Sequence, residues 1–346
     1  MNNEFFAALD LLEQEKGIPK EYMLEKVEAA LLTAFKKESN GLSNVRIAID
    51  GTKKTVRMFS QLTVVEDVTD PTLEISLDDA HKLSKRYKLG DVAEKEVKPK
   101  NFGRISAQTA KNVIVQGIRE AERGMIIREY ESKEDDVVTA VVRIIDRATG
   151  NIILEMGNNQ ATLLKAEQIP GERFNEGDHI KVYVMGVKKD AKMPIIVISR
   201  THPGLVKRIF EMEVPEIQDG TVIIQAIARE AGSRTKIAVY SRDENVDPIG
   251  ACIGVRGMRK NTIIHELSGE KIDIIHYSDD PEEFIKEALS PAKVISVQVA
   301  EDKTCRVIVA PDQLSLAIGK EGQNARLAAR LTGYKIDIKS SDSPDL

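Results

Sequence analysis

Two segments of the chain, about 65 residues apart, share one uncommon layout. Residues 250–276 read GACIGVRGMRKNTIIHELSGEKIDIIH, and residues 317–339 read AIGKEGQNARLAARLTGYKIDIK. Each has Ile-Gly-x-x-Gly near its start, continues with a helical pattern, passes a glycine and closes on Lys-Ile-Asp-Ile. Because the order and the spacing recur almost unchanged, the pattern indicates that one α/β unit is present twice.

The runs before each loop complete the repeated unit. Two strand-like runs, TVIIQAIARE and RTKIAVYS, precede the first loop, and KVISVQVAE and CRVIVAP precede the second. A helix that begins at Asp280-Pro281-Glu282 comes before the second pair. The order strand, strand, loop with helices, strand is that of a KH domain, whose Gly-x-x-Gly loop holds about four nucleotides of a single strand. The sequence therefore predicts two tandem KH domains.

The two glycines of each loop bracket two side chains directly before a helix. Glycine permits a sharp turn and close approach of a bulky ligand, and the free N–H groups of a helix start favour phosphate. Arg256 and Lys320, each inside its loop, are the strongest candidates, and Ile253 and Ile318 are placed to line a groove for bases. The predicted RNA-binding residues of the loops and their flanks are Ile253, Gly254, Val255, Arg256, Gly257, Arg259, Lys260, Ile318, Gly319, Lys320, Glu321, Gly322, Asn324, Arg326 and Lys335.

A single Gly-x-x-Gly is a weak signal, because it is more often a plain turn between helices. Neither loop fits a nucleotide site, since a Walker loop needs GxxxxGK before Ser or Thr and the dinucleotide fingerprint needs GxGxxG. Two copies in matching frames favour RNA clamps. Two weak sites in one chain also hold a longer strand more tightly than either site does alone.

Residues 131–201 are predicted to form a small OB-type β-barrel. Five short strand-like runs, VVTAVVRII, NIILEM, ATLL, HIKVYVMGV and PIIVIS, are separated by turns. Such barrels bind single-stranded nucleic acid by stacking bases on aromatic side chains, and Phe174 and Tyr183 are the aromatic residues available here. The alternative is that Tyr183 belongs to the barrel wall and has no RNA role.

The first part of the chain is predicted to be a mixed α/β domain, with two helices, strand alternation and a long helix from about Ser106 to Arg123. The whole chain is therefore expected to be a multidomain α+β protein: a mixed α/β amino-terminal domain, an OB-type β-barrel and two tandem KH domains. The predicted boundaries are 1–130, 131–201, 202–277 and 278–346.

Charge and composition limit the function classes. The chain has 50 Lys+Arg against 55 Asp+Glu and a net charge of −5, so any RNA contact must be local and geometric rather than a general polycationic attraction. No apolar run reaches the length of a membrane span, and MNNEFFAALD lacks the layout of a signal peptide. Two cysteines without a CxxC partner and five histidines without ligand spacing predict no metal site. We expect a cytoplasmic monomer that needs no cofactor and no metal.

Several stretches resemble the NusA family of bacterial transcription elongation, termination and antitermination factors. They are SRTHPGLVKRIFEMEVPEIQDGTVIIQAIAREAGSRTKIAV, the two glycine-loop segments, EQIPGERFNEGDHIKVYV in the barrel and FGRISAQTAKNVIVQGIREAER in the first domain. The resemblance implies that residues 1–130 bind the RNA polymerase core. It also implies that the barrel and the KH domains bind nascent RNA, with other elongation and antitermination factors as further partners, to modulate pausing, termination and antitermination.

The same resemblance assigns an RNA-binding role to Arg200, which lies in Ser-Arg-Thr at the exit of the barrel. Some members of the family carry acidic carboxy-terminal repeats. This chain reads SSDSPDL directly after the last predicted KH strand, and we therefore expect the form without those repeats.

Two other function classes compete with an RNA-binding transcription factor. An enzyme would need a catalytic constellation, whereas Asp135-Asp136 and Asp279-Asp280 are explained by solvent exposure and helix capping; we expect no catalytic activity. A ribosome-assembly or translation factor would use the same barrel and KH modules. Co-purification with ribosomal particles rather than with polymerase would distinguish it.

Overall fold

The computed structural model describes residues 3–38, 44–50, 55–97, 102–189 and 193–342. The chain separates into two units, Met1–Ile126 and Ile127–Leu346. Residues 343–346, the end of the SSDSPDL segment, lie outside the described residues.

The first unit packs helices against a mixed sheet. Its core includes Phe6, Leu9, Met23 and Ile47, all of which are buried. Strand β2 occupies the centre of the sheet and pairs with the other three strands, of which only β3 runs parallel to it. The elements are α1 (Asn3–Lys16), α2 (Lys20–Glu38), β1 (Val45–Asp50), β2 (Thr55–Val65), β3 (Glu74–Ser76), α3 (Leu77–Leu83), β4 (Val92–Glu96) and α4 (Phe102–Glu131). The long helix α4 extends several residues beyond both predicted ends.

The second unit begins with the predicted barrel. Its strands are β5 (Val137–Ile145), β6 (Ile152–Met156), β7 (Asn159–Leu163), β8 (His179–Lys188) and β9 (Ile195–Ser199). They follow the order β7-β6-β5-β8-β9, and every pairing is antiparallel. The edge strands β7 and β9 also approach each other, so that the sheet is nearly closed. This confirms the predicted OB-type architecture.

The first KH domain follows the barrel directly. It consists of α5 (Pro203–Glu213), α6 (Pro215–Gln218), β10 (Val222–Glu230), β11 (Arg234–Ser241), α7 (Pro248–Ile253), α8 (Met258–Glu266) and β12 (Lys271–His276). Central strand β11 pairs antiparallel with β10 and parallel with β12. The sequence predicted the three strands but not α5, whose start is fixed by Pro203 and by the ring of His202, which accepts a hydrogen bond from the N–H of Gly204.

The second KH domain repeats this arrangement. It consists of α9 (Pro281–Ala288), β13 (Val294–Val299), β14 (Thr304–Val309), α10 (Leu314–Ile318), α11 (Gln323–Thr332) and β15 (Lys335–Ser340). The sheet order is β13-β14-β15, and β14 again pairs parallel with the last strand. Helix α9 begins as predicted, because Asp280 caps it and Pro281 occupies its first turn.

The barrel and the first KH domain share a core. Tyr183 of β8 is buried among α5 side chains such as Leu205 and Ile209. Its ring stacks on His202 with a centroid distance of 4.6 Å. A Cβ on Gly204 would lie 2.4 Å from the Tyr183 ring, so only glycine fits at that point. The junction therefore holds the two domains in one fixed arrangement.

The two KH domains also share a core, and it contains a buried charge. Ala238 and Ile275 of the first sheet pack with Leu289 and other apolar residues of the second domain. Beside them, the buried Lys236 donates from Nζ to Asp273 Oδ2 at 3.0 Å and to the Ser290 carbonyl at 2.7 Å. Burial alone would raise the pKa of Asp273, but hydrogen bonds from Lys236 and its neighbour Arg234 outweigh it and hold that pKa below its usual value.

Candidate nucleic-acid interface

Both glycine loops adopt one backbone conformation. In the first, Gly254 has φ 73° and ψ 174°, and Gly257 has φ 76° and ψ 12°. In the second, Gly319 has φ 75° and ψ 173°, and Gly322 has φ 76° and ψ 13°. Positive φ with these ψ values is accessible mainly to glycine, which explains the residue type at all four positions.

The second variable position of each loop is a non-glycine residue in the left-handed region. Arg256 has φ 54° and ψ 26°, and Glu321 has φ 54° and ψ 27°. In both loops the N–H of the second glycine donates to the carbonyl of the first at 3.1 Å, which closes the turn. The turn directs Arg256 and Glu321 into solvent, and both side chains are exposed.

Each loop leads directly into the amino terminus of a helix, α8 or α11. No side chain of the described residues caps either helix start. The N–H of Met258 donates to the Val255 carbonyl and that of Gln323 to the Lys320 carbonyl, so it is the positive end of each helix dipole that favours an anion such as a phosphate. Val255 and Met258 at the first loop are 78% and 67% exposed, and Lys320 is exposed at the second. The loops thus combine a helix amino terminus with cationic and apolar side chains.

Met258 is exposed at the first loop, although a methionine at a helix start would ordinarily be interpreted as a packing residue. It is the first residue of α8, and its side chain extends into solvent beside Val255. Ile318, just before the second loop, is also partly exposed. Exposed apolar side chains at this position are suited to contact the faces of bases or riboses, and Met258 is the candidate that the sequence analysis missed.

Two predicted RNA-binding residues are used inside the protein. Arg259 and Asn324 occupy equivalent positions, 65 residues apart, beneath the first glycine of each loop. Arg259 Nη1 donates to the Ala251 carbonyl at 2.7 Å and to Glu216 Oε2 at 2.8 Å. The Asn324 amide, in a residue 2% exposed, donates to backbone carbonyls of the preceding helices. Both side chains fasten their loop to the domain, and Asn324 is closed to RNA.

Arg326 is also engaged within the protein. Its Nε donates to Glu230 Oε1 of the first KH domain at 2.6 Å, and its Nη1 donates to the Glu321 carbonyl at 3.0 Å. The hydrogen bond from Arg326 lowers the pKa of Glu230 and keeps it ionised. Arg326 therefore links the second loop to the other KH domain rather than standing free for a phosphate.

The prediction for Arg200 has to be corrected on its geometry. This residue is 2% exposed, and its guanidinium pairs with Glu172, with Nε to Oε2 at 3.0 Å. It also donates to the Lys181 carbonyl of the barrel and to the Glu266 carbonyl at the end of α8. All of this places Arg200 at the junction of barrel and KH domain, where it has no open surface toward RNA.

Lys335 lies apart from the loops. It begins β15, after α11, whose ten residues span about 15 Å. There it lines a surface cavity of about 720 Å³ together with Thr304 and Arg306. Of the remaining cationic candidates, Lys260 follows the first loop in the first turn of α8 and is half-buried.

The barrel does not offer both of its aromatic residues for stacking. Tyr183 is buried, donates from its hydroxyl to Asp135 Oδ1 at 2.7 Å, and has a pKa raised to about 12, mainly by burial. Tyr183 therefore belongs to the barrel wall, which is the alternative that the sequence analysis left open. Phe174 is half-buried and lies 5.7 Å from the Arg200 guanidinium, to which it presents its ring.

Within the described ranges, no group of His, Cys, Asp or Glu side chains has the geometry of a metal site. Burial raises the pKa of Cys252 to about 12 and that of Cys305 to about 11, so both thiols stay protonated and unreactive at neutral pH. Across the same described ranges, no helix is both long and apolar enough to cross a membrane.

Comparison with known proteins assigns three parts of the chain to families. Residues 4–124 match the NusA N-terminal domain, residues 200–277 the NusA-like first KH domain, and residues 281–345 the NusA-like second KH domain. The last two matches contain the two glycine loops.

Three relatives are each named transcription termination/antitermination protein NusA. The protein of Halalkalibacterium halodurans is 52% identical over 341 residues, which cover 98% of this chain and 89% of the relative. That of Bacillus subtilis is 51% identical over 341 residues, 98% of this chain and 91% of the relative. That of Thermus thermophilus is 42% identical over 357 residues, 100% of this chain and 92% of the relative.

Proposed function

The chain belongs to the NusA family of transcription termination/antitermination proteins, and from this premise we propose that it holds nascent single-stranded RNA on its two glycine loops while its first unit binds RNA polymerase. The observation that carries the RNA part is the duplication of the loop. Two loops of one backbone conformation stand in one KH frame, each at the uncapped start of a helix.

In this proposal the RNA backbone passes over each loop, and the positive amino-terminal ends of α8 and α11 attract its phosphate groups. Arg256 and Lys260 add positive charge at the first loop, and Lys320 does so at the second. Val255 and Met258 contact bases or riboses at the first loop through their exposed apolar surface. Arg200 and Asn324 act indirectly, because they hold the domains and loops in place.

Two sites in one rigid unit explain how a chain of net charge −5 binds RNA at all. The second site binds as an intramolecular event once the first is occupied, so two modest affinities combine. Because few cations take part, we expect a shallow salt dependence. Each phosphate contact contributes a slope of about −0.7 in log K against log salt for a single strand.

The first unit has the surface expected of a protein-binding domain. It carries exposed apolar side chains between residues 68 and 92, of which Val68 and Leu83 line a surface cavity of about 410 Å³. These side chains are Val68, Leu73, Leu83, Leu89 and Val92. We assign polymerase binding to this unit on the family relationship and on this surface.

The test is a titration of single-stranded RNA onto the full chain, with Gly257→Asp, Gly322→Asp and the double variant. An aspartate adds a negative charge where phosphate is expected, which at about 4 Å costs about 1 kcal/mol in water. Each single variant should bind about fivefold more weakly, and the double variant should lose most binding. Gly333→Asp is the matched control, because Gly333 ends the same α11 with φ 76° and open space around its Cα.

The same variants separate the two halves of the proposal. All four proteins should still co-purify with RNA polymerase, because the loops lie in the other unit. Unchanged RNA affinity of the double variant would show that the loops are structural turns. Co-purification with ribosomal particles in place of polymerase would favour a ribosome-assembly or translation factor.

A further inference from the structure

One carboxylate of the first KH domain receives three side chains from the loop helix of the second. Glu230, the last residue of β10, accepts a hydrogen bond from Arg326 Nε at 2.6 Å and from Gln323 Nε2 at 2.8 Å. Arg330 Nη1 lies 3.8 Å from Glu230 Oε1. Residues 323, 326 and 330 fall on one face of a helix, so this face of α11 is directed at a single residue of the neighbouring domain.

The contact reaches the glycine loop itself. Gln323 directly follows Gly322, and it also donates to Ser233 Oγ in the β10–β11 turn at 2.7 Å. Arg326, while bound to Glu230, donates from Nη1 to the carbonyl of Glu321 inside the loop. A continuous series of polar contacts therefore runs from β10 through α11 to the loop backbone.

The first loop has no equivalent connection among the described residues. Asn261 occupies the position that corresponds to Arg326, and its short side chain makes no hydrogen bond within the described part of the chain. The hydrogen bond from Arg259 to Glu216, which holds the first loop, lies within the first KH domain. The second loop alone is fastened across a domain boundary.

We propose that Glu230 is a positioning residue that sets the second RNA loop relative to the first, so that one RNA strand meets both loops in a fixed register. The proposal rests on the proposed RNA-binding function of the loops. Glu230 does not contact RNA; it acts through Arg326. The gain comes from preorganisation, because a loop already in register adds its affinity without first being ordered.

A second consequence distinguishes this role from a general loss of structure. Arg326 is held by Glu230 and is therefore not offered to a phosphate. Glu230→Gln keeps a partner for Gln323 but removes the charge that binds Arg326. The released guanidinium lies within a turn of the loop, where it attracts RNA. The variant should thus weaken binding of RNA that spans both loops and strengthen binding at the second loop alone.

The experiment measures RNA affinity of the full chain in two settings. A single-stranded RNA of about ten nucleotides, long enough for two loops of about four nucleotides each, reports the spanning mode. The same RNA titrated onto proteins that also carry Gly257→Asp reports the second loop alone. Glu230→Gln should weaken spanning binding about fivefold, and in the Gly257→Asp background it should raise the affinity.

Arg326→Gln is the reciprocal variant. It breaks the same link and should weaken spanning binding to a similar extent, but it removes the cation and so cannot strengthen the second loop. Glu155→Gln is the matched control, because Glu155 forms a comparable bidentate ion pair on the barrel. Arg143 donates to it from Nε at 2.6 Å and from Nη2 at 2.9 Å. It should leave both RNA affinities unchanged.

Amide hydrogen exchange gives a readout without RNA. The loop residues 319–323 should exchange faster in Glu230→Gln, while residues 254–258 of the first loop should not change. Spanning affinity and second-loop exchange equal to those of the unmodified protein would overturn the proposal. That result differs from a failure of the proposed function, in which the double aspartate variant would still bind RNA.

Discussion

The two glycine loops have the same backbone and different chemistry. Their φ and ψ values agree to within about 2° at each of the three turn positions that have positive φ. Yet the side chains inside the turn are Val255 and Arg256 in the first loop and Lys320 and Glu321 in the second. The cation is at the second variable position in one loop and at the first in the other.

The loops also differ in how they are supported. Arg259 fastens the first loop within its own domain, whereas the second loop is fastened by the buried Asn324 and, through Arg326, by the neighbouring domain. The glycines fix the shape, and this leaves the other positions free to diverge. We conclude that the first loop is the more cationic and independent site, and the second the more firmly positioned one.

The largest expected effect concerns the first glycine of each loop. Gly254→Ala and Gly319→Ala both place a Cβ in a conformation that costs about 1–3 kcal/mol. At Gly319 the new Cβ would also lie 2.8 Å from the backbone nitrogen of Asn324, which cannot move away. At Gly254 the nearest atoms belong to the Arg259 side chain, at 2.7 Å, which can rotate.

Gly319→Ala should therefore lower the free energy of unfolding by about 1 kcal/mol more than Gly254→Ala, as measured from urea unfolding of the full chain. Gly333→Ala serves as control for the positive φ alone, because it meets open space. If Gly254→Ala proved the more damaging, the first loop would be the more tightly packed one, and our comparison would be reversed.

The next effect concerns Asn324 and Arg259, the residues that hold the two loops against their domains. Asn324→Ala removes the amide that donates to the carbonyl of the buried Ala317 and to that of Leu289, which also accepts from the Ala292 N–H. A buried carbonyl left without its donor costs about 1–3 kcal/mol. Arg259→Ala removes a pair with Glu216 in which both side chains are about one-third exposed, and a hydrogen bond to the carbonyl of the half-buried Ala251. Exposed pairs contribute about 0–1 kcal/mol. Thermal or urea unfolding should rank the two variants in that order. Equal losses of unfolding free energy would mean that Asn324 and Arg259 support their loops equally and that the burial of Asn324 makes no difference.

The smallest effect concerns the charges at the left-handed position. Arg256→Glu should weaken RNA binding several-fold, and Glu321→Arg should strengthen it several-fold, since one charge near a phosphate in water contributes about 1 kcal/mol. Neither change adds backbone strain, because both positions already hold a non-glycine residue. Lys286→Glu on the exposed side of α9 is the control for net charge. Equal shifts for the control and Arg256→Glu would reduce the loop effect to bulk electrostatics.

Much of this architecture was predictable from local sequence. The repeated glycines, the Lys-Ile-Asp-Ile strand and the alternation in residues 131–201 each report the conformation of their own segment. The same locality explains why both loops and the barrel were predicted, and why the short strand β3, which has only three residues, was not.

The corrections for Arg200 and Arg326 concern contacts between distant parts of the chain. Arg200 meets Glu172 from 28 residues away, and Arg326 meets Glu230 from 96 residues away. From the sequence alone, a cation near a glycine loop is interpreted as a phosphate ligand. Nothing in the local pattern identifies the carboxylate that binds the cation within the protein. Asn324 was misassigned for the same reason, since only the packed domain shows that it faces inward.

The shared core of the KH pair has a consequence for how the protein is made. Ala238 and Ile275 of the first sheet, and the buried Lys236 beside them, are covered by residues 284–331 of the second domain. A chain synthesised from its amino terminus exposes that face until those later residues have left the ribosome. At about 5–20 residues per second this interval lasts about three to ten seconds. During that time the first KH domain has a bare apolar face, and its folding is completed only when residues 284–331 can pack against it.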